Sequence, residues 1–312
     1  MINFRYHVVS ITSVFLALAI GLVLGTAALN GPVANDLNSR VTDLRAANNQ
    51  LRGQVSDLDK QVQGRDAFVK QVAPTMLAGT LTGKRVLLVT LPGAGSENPQ
   101  GVQNMLEAAG ATVTGTLGFT AEIVDPTRND DALDLATRLT PPGVSALPTN
   151  NDGVETASAL FGRVFATGKA NVSDAARTSL VSGFGGLKFV DASAKVGPAD
   201  AVVFVAGIPI TGRDADRRNA NIDLIVTQFA ASFDRAVLAG PTVAGGGNVV
   251  AAVRGDDTLA TKISTVDTAG SAEGQLAAAM AVAERFAGKA GQYGAGDGAT
   301  APVPSLAKPA AK

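Results

Sequence analysis

The chain has 312 residues, a formal net charge of −1, no cysteine, no tryptophan and a single histidine, His7. The near-neutral balance gives no electrostatic case for nucleic acid as a partner. The lack of cysteine excludes disulfides, thiolate metal sites and cysteine nucleophiles.

From Val8 to Leu29 the sequence VVSITSVFLALAIGLVLGTAAL carries no charged side chain. As a helix these residues reach about 33 Å, enough to cross a hydrocarbon core of ~30 Å. Residues 1–30 are therefore assigned as a transmembrane anchor. The alternative is a cleaved signal peptide, whose apolar core is shorter, about 7–15 residues, with Gly25-Thr26-Ala27 as the cleavage site. Arg5 and the α-amine precede the apolar run, whereas Asp36 to Arg45 carries both signs. The positive-inside rule then places the amino terminus in the cytoplasm and the bulk of the chain outside it. Ala17, Gly21 and Gly25 are spaced by four, so they share one face and allow a second membrane helix to approach closely.

Residues 31–73 read as a rod. With Val41 at heptad position a, Leu37, Leu44, Leu51 and Leu58 fall at d, and Val55, Val62 and Val69 at a. Between Leu37 and Val72 only Asn48 at a and Arg65 at d interrupt the apolar seam. β-Branched residues at a with Leu at d favour a parallel two-stranded coil, and a lone Asn at a fixes its register. Flanking pairs help little, since Arg40 at g would face Arg45 at e of the partner, and Gly53 and Gly64 weaken the helix. Membrane helices or heads must therefore hold the rod together. Its alternative is a single helix packed on its own globular domain. Pro74, with Gly79 and Gly83 beyond it, is expected to end the rod in a hinge.

Residues 84–287 predict an extracytoplasmic, mainly parallel, Rossmann-like α/β domain. Val86–Leu91 (VLLVTL) is a strand, Gln100–Ala109 a helix with Val102, Met105 and Leu106 on one face, and ATVTGTLGFT a second strand. Residues 130–190 look mostly helical. Strands are expected at Leu187–Val190, Ala201–Ala206, Val237–Ala239, Val249–Val253 and Ile263–Val266, and helices around Ile222–Phe233 and Leu276–Ala283. Strands alternating with helices favour a parallel sheet covered on both faces. From Gly288 to Lys312 the Gly, Ala, Pro and Lys content predicts a flexible tail.

Chemistry is harder to find. The loop Pro92-Gly93-Ala94-Gly95-Ser96 follows the first strand but lacks the third glycine of GxGxxG and any Walker lysine. Gly245-Gly246-Gly247 is a second glycine run. Both read as turns before they read as anion sites. Asp130-Asp131 and Asp256-Asp257 lack calcium-loop spacing and suit helix starts. The head has no histidine, so no Ser/His/Asp set can form there. The chain reads as a non-enzyme without a cofactor.

The segments INFRYHVVSITSVFLALAIGLVLGTA, KRVLLVTLPGA, ISTVDTA and GQYGAGDGA, in this order around the coil, resemble the MctB copper transporter family of actinobacteria. Ser264-Thr265-Val266-Asp267 and Tyr293-Gly294-x-Gly296 are the most recognisable parts. The resemblance implies a cell-envelope protein of copper efflux and homeostasis, described in the family as an outer-membrane pore. SteB-like relatives imply the alternative, a dimeric coiled-coil scaffold in cell division or cell-wall remodelling. The residues themselves offer copper little, because Cu(I) prefers Cys and Met, and Met76, Met105 and Met280 are isolated. Direct copper binding is not expected, and the metal site is left unknown. Nor do short strands between helices read as a transmembrane β-barrel. The expected partners are a second copy, the membrane, and an envelope or division protein. The assembly candidates are Ala17, Gly21, Gly25, Leu37, Val41, Leu44, Asn48, Leu51, Val55, Leu58 and Val62.

Overall fold

The computed structural model describes residues 4–30, 32–243 and 247–305, and the chain divides into two units at Gly64/Arg65. The first unit holds helix α1 (Phe4–Asn30) and the leading part of helix α2 (Pro32–Leu77). Within α1, Phe4–Thr26 is long and apolar enough to cross a membrane, the one such helix among the described residues. Thr12 and Ser13 donate their hydroxyls to the carbonyls of Val8 and Val9 within the helix, both at 2.8 Å.

The second unit opens with the last turns of α2. Here two expectations are corrected. Pro74 lies inside the helix, which runs on to Leu77 before Gly79 takes a φ of +76°. The bond lost to the missing Pro N–H is offset because Ala73 and Leu77 on either side are fully buried in the head's core. The predicted seam also stops short of Val72. Val69 packs on the head's own core, Arg65 pairs with Glu273 at 3.2 Å, and the Asp66 carboxylate accepts from the Ala272 N–H at 3.0 Å.

The rest of the unit is α/β. Its elements are β1 (Arg85–Thr90), α3 (Glu97–Ala108), β2 (Thr112–Phe119), α4 (Asn129–Leu139), α5 (Gly153–Phe165), α6 (Asp174–Gly186), β3 (Val190–Ala192) and β4 (Ala201–Val205). They continue with α7 (Ala215–Ala230), β5 (Ala236–Ala239), α8 (Val249–Gly255), α9 (Asp257–Lys262), β6 (Ile263–Val266), α10 (Ala272–Phe286) and β7 (Gln292–Tyr293). The strands form one sheet in the order β3-β2-β1-β4-β5-β6-β7, parallel throughout except for β3 at its edge.

β4 and β5 are apolar at every position, and β1 is so between Arg85 and Thr90, because both faces are covered. In β1, Leu87 and Val89 point to one side, and Val86 and Leu88 to the other. The first side is filled by α4 to α8 and rings that meet edge to face, Phe119 with Phe161 and Phe204 with Phe229. The second side holds α3, the end of α2 and the alanine-rich α10, whose small side chains let it lie close to the sheet.

Two further expectations are corrected. Val249–Val253 is helical. Asn248 caps it by accepting from the Val250 N–H at 3.0 Å, and Val249, Val250 and Val253 are buried on one helical face. The context overrides the β preference of valine, since parallel neighbours β5 and β6 need a crossover between them. And the stretch from Gly288 is not tail throughout. β7 pairs with β6, and Tyr293 is buried. Residues 306–312 lie outside the described part of the chain.

Candidate functional site

An open parallel sheet offers a ligand crevice at the carboxyl ends of its strands, where the strand order reverses. Here that point lies between β1 and β4. The crevice is filled by backbone. Leu91 donates its N–H to the Val205 carbonyl at 2.9 Å, and Gly207 sits so close to Gly93 that a Cβ on it would meet the Gly93 carbonyl carbon at 2.0 Å. The helix after β1 starts with Glu97, whose carboxylate takes the favourable position for negative charge at a helix amino end. The glycines of loop 92–96 therefore serve close packing and a turn. Of the second glycine run, Gly245 and Gly246 lie outside the described residues.

The chemistry-bearing side chains converge instead beyond β6 and β7. Arg254, at the end of α8, and Asp267, just past β6, form an ion pair at 2.7 Å with side chains only 5% and 3% exposed. The guanidinium makes four hydrogen bonds with its five N–H donors. Its Nε donates to the Thr265 hydroxyl (2.8 Å), one terminal nitrogen to Asp267 and the Asp297 carbonyl (2.9 Å), and the other to the Tyr293 carbonyl (2.7 Å). The carboxylate accepts in addition from the Ala295 and Gly296 N–H groups, both at 2.8 Å. Gly294, at φ +129°, has no room for a Cβ, which would lie 1.9 Å from an Asp267 oxygen. Thus Ser264–Asp267 and Tyr293–Gly296 are two halves of one buried clamp. Both charged groups in it are held by several hydrogen bonds, which suits holding the carboxyl-terminal strand rather than turning over a substrate.

A second carboxylate extends the clamp. Glu284 of α10 is buried, accepts from the Tyr293 hydroxyl, and accepts from the Ser305 hydroxyl at 2.7 Å. Burial, reinforced by Glu284, pushes the Tyr293 phenol above its ordinary value. Asp223 on α7 has the opposite situation. One of its carboxylate oxygens is buried without a hydrogen-bond partner, and burial pushes its pKa up to about 6. Sequence reasoning singled out both halves of the clamp as motifs but gave them no role. Arg254, which joins them, was hidden at the end of a stretch read as a strand.

The remaining polar candidates are structural. Asp131 pairs with Arg128 at 2.7 Å at the start of α4, and Asp256 caps α9 by accepting from the Thr258 and Leu259 N–H groups. Met105 and Met280 share the core under α3 and α10. On α2 the assembly candidates form an exposed stripe: Leu37, Val41, Leu44, Leu51, Val55, Leu58 and Val62 are 38–70% exposed, with Asn48 exposed among them. On α1, Ala17 and Gly21 are exposed, Gly25 is half-buried, and neither glycine has an atom within 4 Å of where a Cβ would stand.

Comparison with known proteins gives a consistent result. The family model described as copper transport outer membrane protein, MctB, matches residues 1–304. The chain is 28% identical over 310 residues to the copper transporter MctB of Mycobacterium tuberculosis, and equally to that of Mycobacterium bovis, covering 96% of this chain and 98% of each relative. Its counterpart in Mycobacterium leprae is also 28% identical, over 312 residues.

Proposed function

Given that this chain belongs to the MctB family of copper transport outer membrane proteins, we propose that it is a membrane-anchored component of copper homeostasis in the cell envelope. The family match across residues 1–304 carries this reading. In it α1 stays in the membrane with its amino terminus in the cytoplasm, and the Rossmann-like head works outside. Two copies pair in parallel through Ala17, Gly21 and Gly25 and through the seam from Leu37 to Val62. The exposure of that seam in the single chain supports the pairing, since a row of Leu and Val at heptad spacing is stable in water only when covered.

Copper is cargo in this reading, and the protein is not an enzyme. The head has no cysteine and no histidine, and two of its three methionines are buried in its core, so soft-metal ligands are scarce. The protein then acts on copper by assembling or positioning an export route. The closed crevice and the multiply hydrogen-bonded clamp favour a head that is a rigid body for contacts. The test is copper tolerance of a deletion strain. Sensitivity restored to normal by the full chain supports the reading, and unchanged tolerance contradicts it. If the deletion strain tolerates copper but forms chained or lysis-prone cells, the exposed seam belongs to a division scaffold instead.

A further inference from the structure

Because β1, β5 and β6 are parallel, the residues just before each of them lie at one edge of the sheet, opposite the clamp. Those residues are Lys84, Arg235 and Lys262, and α10 returns to bring Arg285 and Phe286 to the same edge. The Phe286 ring holds two cations, with the Lys84 ammonium 5.0 Å and the Arg235 guanidinium 4.7 Å from its centre. Among the described residues none of Lys84, Arg235, Lys262 and Arg285 forms a salt bridge, although the chain as a whole is nearly neutral. Two acids adjoin them in sequence: Asp234 turns its carboxylate to Lys169 at 3.7 Å, and Glu284 accepts from Tyr293 and Ser305. Arg285 donates to backbone carbonyls, that of Asp234 at 2.7 Å and those of Thr261 and Lys289 at 3.4 Å. The Nε atoms of Arg235 and Arg285 are both buried without an acceptor. Burial and the neighbouring Arg235 charge hold Arg285 below its ordinary pKa, against the opposing pull of the Asp234 carboxylate.

Four cations gathered beside the single exposed carboxylate of Asp234, itself shared with Lys169, cost stability, and a bound anion lowers that cost. Beside them lies a cleft of about 360 Å³. Arg285, Lys262 and Asp234 supply its charged wall, and Phe233, Leu259 and Ile263 its apolar wall. We propose that this cleft binds a phosphate-type oxyanion between Arg285 and Lys262, with Arg235 and Lys84 supplying charge around Phe286. Guanidinium donors suit the planar, bidentate recognition of phosphate. The phosphate is either free or the headgroup of a phospholipid, whose chains the apolar wall would receive.

The test is thermal unfolding of the full chain in neutral detergent micelles. Inorganic phosphate is compared with chloride at equal ionic strength, then a short-chain phosphatidylglycerol is compared with its uncharged glyceride. Phosphate also stabilises proteins by exclusion from their surface, so each shift is read against Lys262→Gln and Arg285→Gln. Lys262 is exposed, so its variant folds even if Arg285→Gln does not. The expected result is a rise of a few degrees that is at least halved in Lys262→Gln and absent from Arg285→Gln. A rise with phosphate alone assigns the free anion. A larger rise with the lipid, competed by phosphate, assigns the headgroup. No rise with either, or a rise of the same size in Lys262→Gln, overturns the proposal.

Discussion

Asp267 shows how much of this head depends on single atoms. Its carboxylate is the only charge facing the buried Arg254 in the clamp, and it also holds two N–H groups of the carboxyl-terminal turn. Removing one partner of such a pair leaves the other charge buried and uncompensated, at a cost of about 3–5 kcal/mol. Asp267→Ala is therefore expected to lower the stability of the head by that amount. Denaturant unfolding measured by tyrosine emission reads it directly, because the chain has two tyrosines and no tryptophan, and Tyr293 sits in the clamp. Asp223 tests the opposite sign. Its pKa is raised to about 6 in the folded chain. The native state therefore holds a proton that the unfolded state has lost, and stability falls as pH rises from about 4 to 6. Above that range the ionised, half-buried carboxylate is a standing penalty. Asp223→Asn is expected to raise the unfolding midpoint near neutral pH and to flatten its dependence between about pH 4 and 6. An unchanged slope would show that Asp223 titrates normally.

At the level of elements, α2 does two jobs in sequence. Up to Val62 its apolar stripe is exposed, and from Arg65 onward its side chains serve the head. With two copies paired through that stripe as proposed, changes in the first part break the pairing without touching the head. Leu51→Asp combined with Val55→Asp is expected to convert a dimer into a monomer on light scattering in detergent, with the head's unfolding midpoint unchanged. Asn48→Val should keep the association and lose its uniqueness, giving trimers or mixed registers alongside dimers. The division of α2 was only half legible in the sequence. The heptad pattern carries on through Val69, because the same valine that would fill a seam also fills a core, and periodicity does not say which partner covers it. Val249–Val253 is the reverse case. Local β preference points to a strand, while the parallel pairing of β5 with β6 requires a helix there, and that pairing is a long-range fact.

For the whole molecule, the order of an apolar helix, a long polar helix and an α/β head was readable because each part has its own hydrophobic pattern: an unbroken apolar run, a spaced apolar stripe, and short buried runs. The central strands were plain for the same reason, each carrying an unbroken run of at least four apolar residues. The clamp was not. It joins α8, β6 and β7 through Arg254, Asp267 and Tyr293, residues far apart in the chain whose meeting depends on the completed sheet. The glycine-rich composition after Gly288 points to a tail, whereas Gly294 is needed there because an Asp267 oxygen occupies the place of its side chain. Copper tolerance is expected to depend on pairing along α2. The most direct measurement is growth of a deletion strain in rising copper, complemented by the full chain or by the Leu51→Asp, Val55→Asp chain at equal protein level. The expected result is tolerance restored by the full chain and not by the seam variant. Equal rescue by both would separate pairing from function, and a deletion strain with normal copper tolerance would contradict the account itself.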